Sequence, residues 1–139
     1  MPCCSMLAAN GALWADGLFW LGLSILLAHE LDAVRAREWR LLFVLRRMPE
    51  ELARDAFVLV HVPLVAVLFW LFALAPPAVR LTSQAALDIF LIAHAGIHYR
   101  LAGHALYDFQ SRASRSLIFG GAAVGMVHLL LLAALRLQG

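Results

Sequence analysis

The sequence predicts an all-α polytopic membrane protein, a four-transmembrane-helix bundle forming a single domain over residues 1–139. Three observations predict it. Hydrophobic residues make up 63% of the chain and charged residues only 14%, with a mean hydropathy of +0.83, whereas soluble domains carry about 25% charged residues. Four apolar stretches recur, and two of them, Ala56–Ala75 and Leu117–Leu135, contain no Asp, Glu or Arg; at about 1.5 Å per residue each covers roughly 28 to 30 Å, the thickness of a bilayer's hydrocarbon core. Nine of the 11 basic residues fall in two of the three connecting segments. A chain of this length has no room for a separate soluble catalytic domain, so any chemistry must use groups within or at the edge of the bilayer.

The first helix is expected near residues 13–36. Met6–His29 holds one formal charge, Asp16, and runs without a cleavage-like break into His29, Glu30 and Asp32, which argues against a cleaved signal peptide. Cys3 and Cys4 are adjacent, a strained geometry for a disulfide, and lack a second pair for a zinc knuckle. Only Met1 and Pro2 precede them, so no lipoprotein signal is expected, and Met6 is a second candidate start. Arg35–Arg54 alternates Arg with Trp39, Leu41, Leu42 and Phe43, the pattern of an interfacial segment whose Arg stems and aromatic rings straddle the headgroups.

The second helix is expected near 52–75, with Pro49, Glu50 and Glu51 in its first turn and Pro76 and Pro77 ending it. Pro63 lacks the backbone donor and is expected to kink this helix. The third helix is expected near 83–102, capped by Thr82 or Ser83 and interrupted by Gly103; the fourth near 115–137, capped by Ser114 or Ser116. Gly121 and Gly125 form a Gly-x-x-x-Gly pair that favours close helix packing and offers a homo-oligomer contact.

All 11 basic residues are Arg. The absence of Lys excludes a Schiff-base lysine and a Walker-type phosphate lysine. Arg35, Arg37, Arg40, Arg46, Arg47 and Arg54 lie in the first loop and Arg100, Arg112 and Arg115 in the third, against Arg80 and Arg136 on the other side. The positive-inside rule places loops one and three in the cytoplasm and both termini outside. The basic face is expected to meet anionic membrane lipid, and no nucleic-acid partner is expected.

With the helices placed this way, His29, His61, His94 and His98 lie within roughly 3 to 11 Å of the cytoplasmic edge. His29 and Asp32 are three residues apart and His94 and His98 four apart, so each pair shares a helix face and can offer two donors to one ion. Imidazole with carboxylate is the ligand set of zinc, iron, manganese or copper, and ionisable groups inside a membrane are costly enough to mark function. The expected metal ligands are therefore His29, Asp32, His61, His94 and His98, with Glu30 and Asp32 as proton acceptors. Two plainer readings compete: each histidine as an interhelical hydrogen-bonding group, and Asp32 in an ion pair with Arg35. His104 and Asp108, four apart in the third loop, either cover the cluster as an outer shell or are simply solvated. His128, on the face of Gly121 and Gly125, is expected to serve packing or proton handling. Asp16 and Asp88 read as carboxylates near helix N-termini.

The leading functional reading is a metal-dependent enzyme, hydrolase or oxidoreductase, with zinc or iron as cofactor and a lipid-soluble or interfacial small molecule as substrate. Two alternatives remain open: a b-type haem electron-transfer protein, and a non-enzymatic subunit whose histidines relay protons. The run His-Glu-Leu-Asp-Ala at His29–Ala33, with His61 in the next apolar helix and His94 and His98 in the third, resembles the small four-helix bacterial membrane proteins of the HXXEE-domain type. Asp32 stands where that motif has its first Glu, and Ala33 replaces the second. The resemblance implies the fold and a bacterial inner-membrane location more than an activity.

Labelling of single introduced cysteines in intact cells tests the orientation. A site near Arg80 should be modified from outside and one near Arg46 protected; the reverse pattern would invert the topology.

Overall fold

The computed structural model describes the backbone of residues 2–137 and the side chains of residues 10–137. The side chains of Cys3, Cys4 and Met6 lie outside the described residues. Helix α1 spans Pro2–Arg35, α2 Glu50–Phe69, α3 Pro77–Leu101 and α4 Arg112–Leu137; short 3₁₀ turns at Glu38–Arg40 and Leu45–Arg47 fill the first loop, and a π-helical stretch over Trp70–Leu74 extends α2. The fold is all-α with four helices. Three of them, over Asn10–Arg35, Glu50–Leu74 and Arg112–Leu137, are long and apolar enough to cross a membrane. Helix α3 has the length, 25 residues, but buries Gln84, Asp88 and His98, so its polarity comes from the face it turns inward.

Burial follows one rule in three helices. The inward seam runs through buried Ala15, Phe19, Gly22, Leu26, His29 and Ala33 in α1, Gln84, Asp88, Leu91, Ala95 and His98 in α3, and Ser114, Ile118, Gly121, Gly125 and His128 in α4, with Leu23 and Leu87 buried beside it. Each series alternates steps of three and four residues. A 3.5-residue repeat keeps one seam on its partners when near-parallel helices wrap around each other. Helix α4 packs along both α1 and α3. Helix α2 stands at the periphery, with Ala53 and Phe57 as its buried residues. Trp14, Leu31, Val62 and Leu74 point outward. Large apolar groups facing outward, with small and polar residues among the large apolar ones inside, suit a bundle surrounded by lipid rather than water.

The details correct several sequence expectations. Helix α3 starts at Pro77 rather than near residue 83, because proline at the first helical position loses no intrahelical bond; Thr82 is therefore inside the helix, its hydroxyl donating to the Ala78 carbonyl at 2.9 Å. Ser111 caps α4 in place of Ser114 or Ser116: its Oγ accepts the Ser114 backbone N–H at 3.0 Å. Asp16 and Asp88 are not at helix N-termini, since α1 and α3 begin well before them. Asp88 is instead bonded to His128 Nδ1 at 2.7 Å, with both side chains buried. Gly121 and Gly125 are used within the chain. A Cβ on Gly125 would lie 3.2 Å from the Asp88 carbonyl oxygen, and one on Gly121 would lie 3.3 Å from Ile25. The pair thus seats α4 against α3 and α1.

Gly125→Val should lower stability in detergent by about 1 to 3 kcal/mol, because α3 backbone cannot move aside as a side chain could. Gly17→Val, at a site where an added Cβ meets nothing within 4 Å, should leave the melting temperature near that of the parent.

Candidate metal centre

The inward face of α3 brings His94 and His98 one turn apart, and the seam of α1 brings His29 opposite them. His94 Nε2 lies 2.9 Å from His29 Nε2 and 3.0 Å from His98 Nε2. The fourth member comes from the first loop. Glu38 places one carboxylate oxygen 3.8 Å from His29 Nε2 and the other 3.8 Å from His98 Nε2. One ligand atom from each of His29, Glu38, His94 and His98 falls within 4.8 Å of all the others, a group that could hold a metal ion.

Hydrogen bonding alone does not account for this convergence. A neutral imidazole has one N–H and one lone pair, so His94 Nε2 cannot donate to one neighbour while accepting from the other. Three ring nitrogens aimed at one point repel each other unless protons or a cation lie between them. Ligand nitrogens bound at about 2.1 Å are about 3.0 Å apart at right angles and about 3.4 Å apart at tetrahedral angles, so the observed separations suit ligation.

The chain path explains how Glu38 arrives. Arg37 ends α1 in the left-handed region, φ 55° and ψ 47°, a C-terminal turn usually given to glycine. That turn folds Glu38 back over the helix end while Trp39 is buried against Phe57, ring centroids 5.7 Å apart. Burial, reinforced by the neighbouring Glu30 carboxylate, pushes the Glu38 carboxyl up to about 7. The third loop closes the other side. Phe109, fully buried, packs on the His98 and His29 rings at 4.7 and 5.4 Å, and the Tyr107 hydroxyl lies 3.2 Å from His98 Nδ1. A His98 that ligates through Nε2 carries its proton on Nδ1 and donates it to that oxygen, which fixes the ring.

Of the expected ligands, the structure brings together His29, His94 and His98. His61 is directed elsewhere: its Nδ1 lies 2.6 Å from the Phe57 carbonyl and its Nε2 2.8 Å from Glu30. Asp32 is held by Arg35 at 2.7 Å, while its Oδ2 and His29 Nδ1 are buried without partners. The third loop does cover the cluster, but with Tyr107 and Phe109. His104 accepts the Leu106 N–H within its own turn at 3.2 Å, and Asp108 is exposed. His128 belongs to the Asp88 pair. Glu38 escaped sequence reasoning because it lies past the span in an Arg-rich segment that reads as headgroup contact; the available signal was an isolated acid among those arginines.

Over residues 15–135 the chain matches a family described as a family of unknown function, DUF6713, and it belongs to that family. The matched stretch contains all four residues of the cluster. The likeness to the HXXEE-domain type rests on the His29–Ala33 run and the architecture alone. No curated protein and no solved structure matches the chain.

The raised Glu38 carboxyl sets a pH dependence. Below about 7 the metal-free site holds a proton that an ion must displace, so apparent affinity should rise with pH and lose this dependence above about 7. Competition titration with a chelator should show this step in the parent and its loss in Glu38→Gln.

Proposed function

We propose that this member of DUF6713 is a membrane-embedded metalloprotein in which His29, His94, His98 and Glu38 hold one divalent ion, zinc or iron. We read it as a metal-dependent enzyme, hydrolase or oxidoreductase, acting on a lipid-soluble or interfacial small molecule. The meeting of three Nε2 atoms from α1 and α3 with the Glu38 carboxylate carries the reading. In this reading α3 is the fourth span of an inner-membrane protein, with loops one and three cytoplasmic and both termini outside.

Three nitrogens and one oxygen leave two positions of an octahedral iron free. For zinc they fill a tetrahedron, and a free position then requires Glu38, the most distant donor, to move off or the ion to expand to five ligands. The ion would supply Lewis acidity towards water or a substrate oxygen. The chain supplies the proton handling. His61 Nδ1 faces a carbonyl, which can only accept, so Nδ1 carries a hydrogen; its Nε2 faces Glu30, and one further proton must lie between them. Glu30 and His61 thus share a proton beside the cluster, as a general acid or base requires. Asp32, three residues on from His29, is held by Arg35 and makes no hydrogen bond to the His29 ring.

Separations of 2.9 and 3.0 Å between the histidine nitrogens argue against a b-type haem, whose two axial nitrogens lie on opposite sides of the macrocycle, about 4 Å apart at bond lengths of about 2 Å. A proton relay is the second reading. It is favoured by the short contacts that join His29, His94, His98 and Tyr107.

Metal analysis of protein purified without a histidine tag should find one ion per chain. His94→Ala and His98→Ala should each strip it from a bundle that stays folded, whereas His61→Ala and His128→Ala should retain it. Activity should vanish on chelation and return with one specific ion. Full activity in metal-free protein would replace the enzyme reading with the relay.

A further inference from the structure

Helix α2 is pinned at its two ends and stands off between them. Ala53 and Phe57 are buried near its start and Phe72 and Ala75 at its far end, but no side chain from Val58 to Leu71 is buried. The space left between α2, α1 and α3 is a cleft of about 370 Å³, walled by Leu26, Leu64, Leu68, Leu87 and Phe90 among others, with Glu30 at one end. That volume is within the range of small-molecule sites, about 300 to 1,000 Å³. Leu64 is 46% exposed, so the cleft opens sideways, where lipid would lie.

The cleft has a polarity. On α2 its lining runs from Leu64 to Phe72, and on α3 from Phe90 back to Ser83. Eight residues of helix are about 12 Å, the length of about ten carbons of extended chain at roughly 1.2 Å per bond. Glu30 and His61 stand at the end nearer the Arg-rich loop, and the remainder points towards mid-membrane. A lipid of the adjoining leaflet has the same arrangement, polar end at the interface and chain inward. The head end also selects. Both His61 nitrogens are already engaged, Nδ1 by the Phe57 carbonyl and Nε2 by Glu30 Oε2, so the free oxygen of Glu30 can only accept a hydrogen, and no Arg lines the cleft. An anionic head has no hydrogen to donate and would lie against a carboxylate oxygen with no Arg beside it.

We infer that this cleft binds a single-chain amphiphile with an uncharged hydroxyl head, a long-chain alcohol, its chain between α2 and α3 and its hydroxyl donating to Glu30. This names the substrate class of the function proposed above and rests on it. Phe90, a wall of the cleft, stacks on the His94 ring at 5.2 Å between centroids, which puts the bound head beside the histidine cluster.

The test uses the full chain in detergent and a decanol probe carrying a photoreactive diazirine at its tail. Cross-links should map to the α2 and α3 walls around Leu68 and Leu87. Excess decanol should suppress them and equal decanoate should not; in Glu30→Gln, decanoate should begin to compete. Leu68→Trp, from the half-buried side of α2, and Ala86→Trp, from α3, should each fill the cleft and cut labelling at least ten-fold. Metal content and melting temperature, measured on the same samples, establish that each variant is folded. Labelling spread over outward residues such as Val62, labelling unchanged in both folded Trp variants, or equal competition by decanoate in the parent overturns the inference. Cleft labelling in protein that never binds metal would leave this site standing and remove the metal reading, so the two failures are distinguishable.

Discussion

A polar side chain buried in a lipid-surrounded bundle has no water to turn to and must find its partner on another helix. The interior of this protein is organised around that constraint. The seam of α1, α3 and α4 carries His29, Gln84, Asp88, His98, Ser114 and His128 at its three-four steps, and apolar side chains cannot drive these helices together when lipid is equally apolar. Small residues and polar pairs do so instead. Gly125 lets α4 approach the α3 backbone, where His128 reaches Asp88. At the other end Arg35 joins Asp32 of α1 to Ser114 of α4.

The same constraint makes the histidine cluster informative. Asp88 with His128 is a closed pair: one acceptor, one donor, 2.7 Å apart. His29, His94 and His98 are not closed, because three like nitrogens meet and the nearest carboxylate oxygens stand off at 3.8 Å. Two buried polar groups built from the same residue types thus differ in whether the chain itself completes them. The complete one fastens α3 to α4, and the incomplete one is where an ion would supply what is missing.

The four helices were legible because apolar length and proline punctuation are local signals. That His29, His94 and His98 reach one level was legible because it follows from helix rise alone. Which of them meet was not. A one-residue difference in position turns a side chain by about 100°, so Glu30 faces α2 and His61 while His29 faces α3. The roles of Asp88 and Glu38 were hidden for different reasons. Asp88 required knowing that α3 begins at Pro77, and Glu38 required the left-handed turn at Arg37, which composition does not announce in a residue other than glycine.

That turn also bears on how the site could work. A non-glycine residue in the left-handed region costs about 1 to 2 kcal/mol, and the buried Trp39 ring, packed on Phe57, helps hold the turn that carries Glu38 over the histidines. With a divalent ion in place, three neutral imidazoles and one carboxylate leave a net charge of about +1 in a medium that screens poorly. Asp32 is balanced by Arg35, and Glu30 and His61 together are neutral, so nothing nearby cancels that charge. In the function proposed, the ion would supply Lewis acidity towards a neutral hydroxyl, and Glu30, which lines the cleft, would be the group to accept its proton. In the function proposed, the excess charge, the neutral head that the cleft favours and the Glu30–His61 pair between them would be parts of one arrangement, with the ion held by α1, α3 and the first loop and the substrate by the gap that α2 leaves.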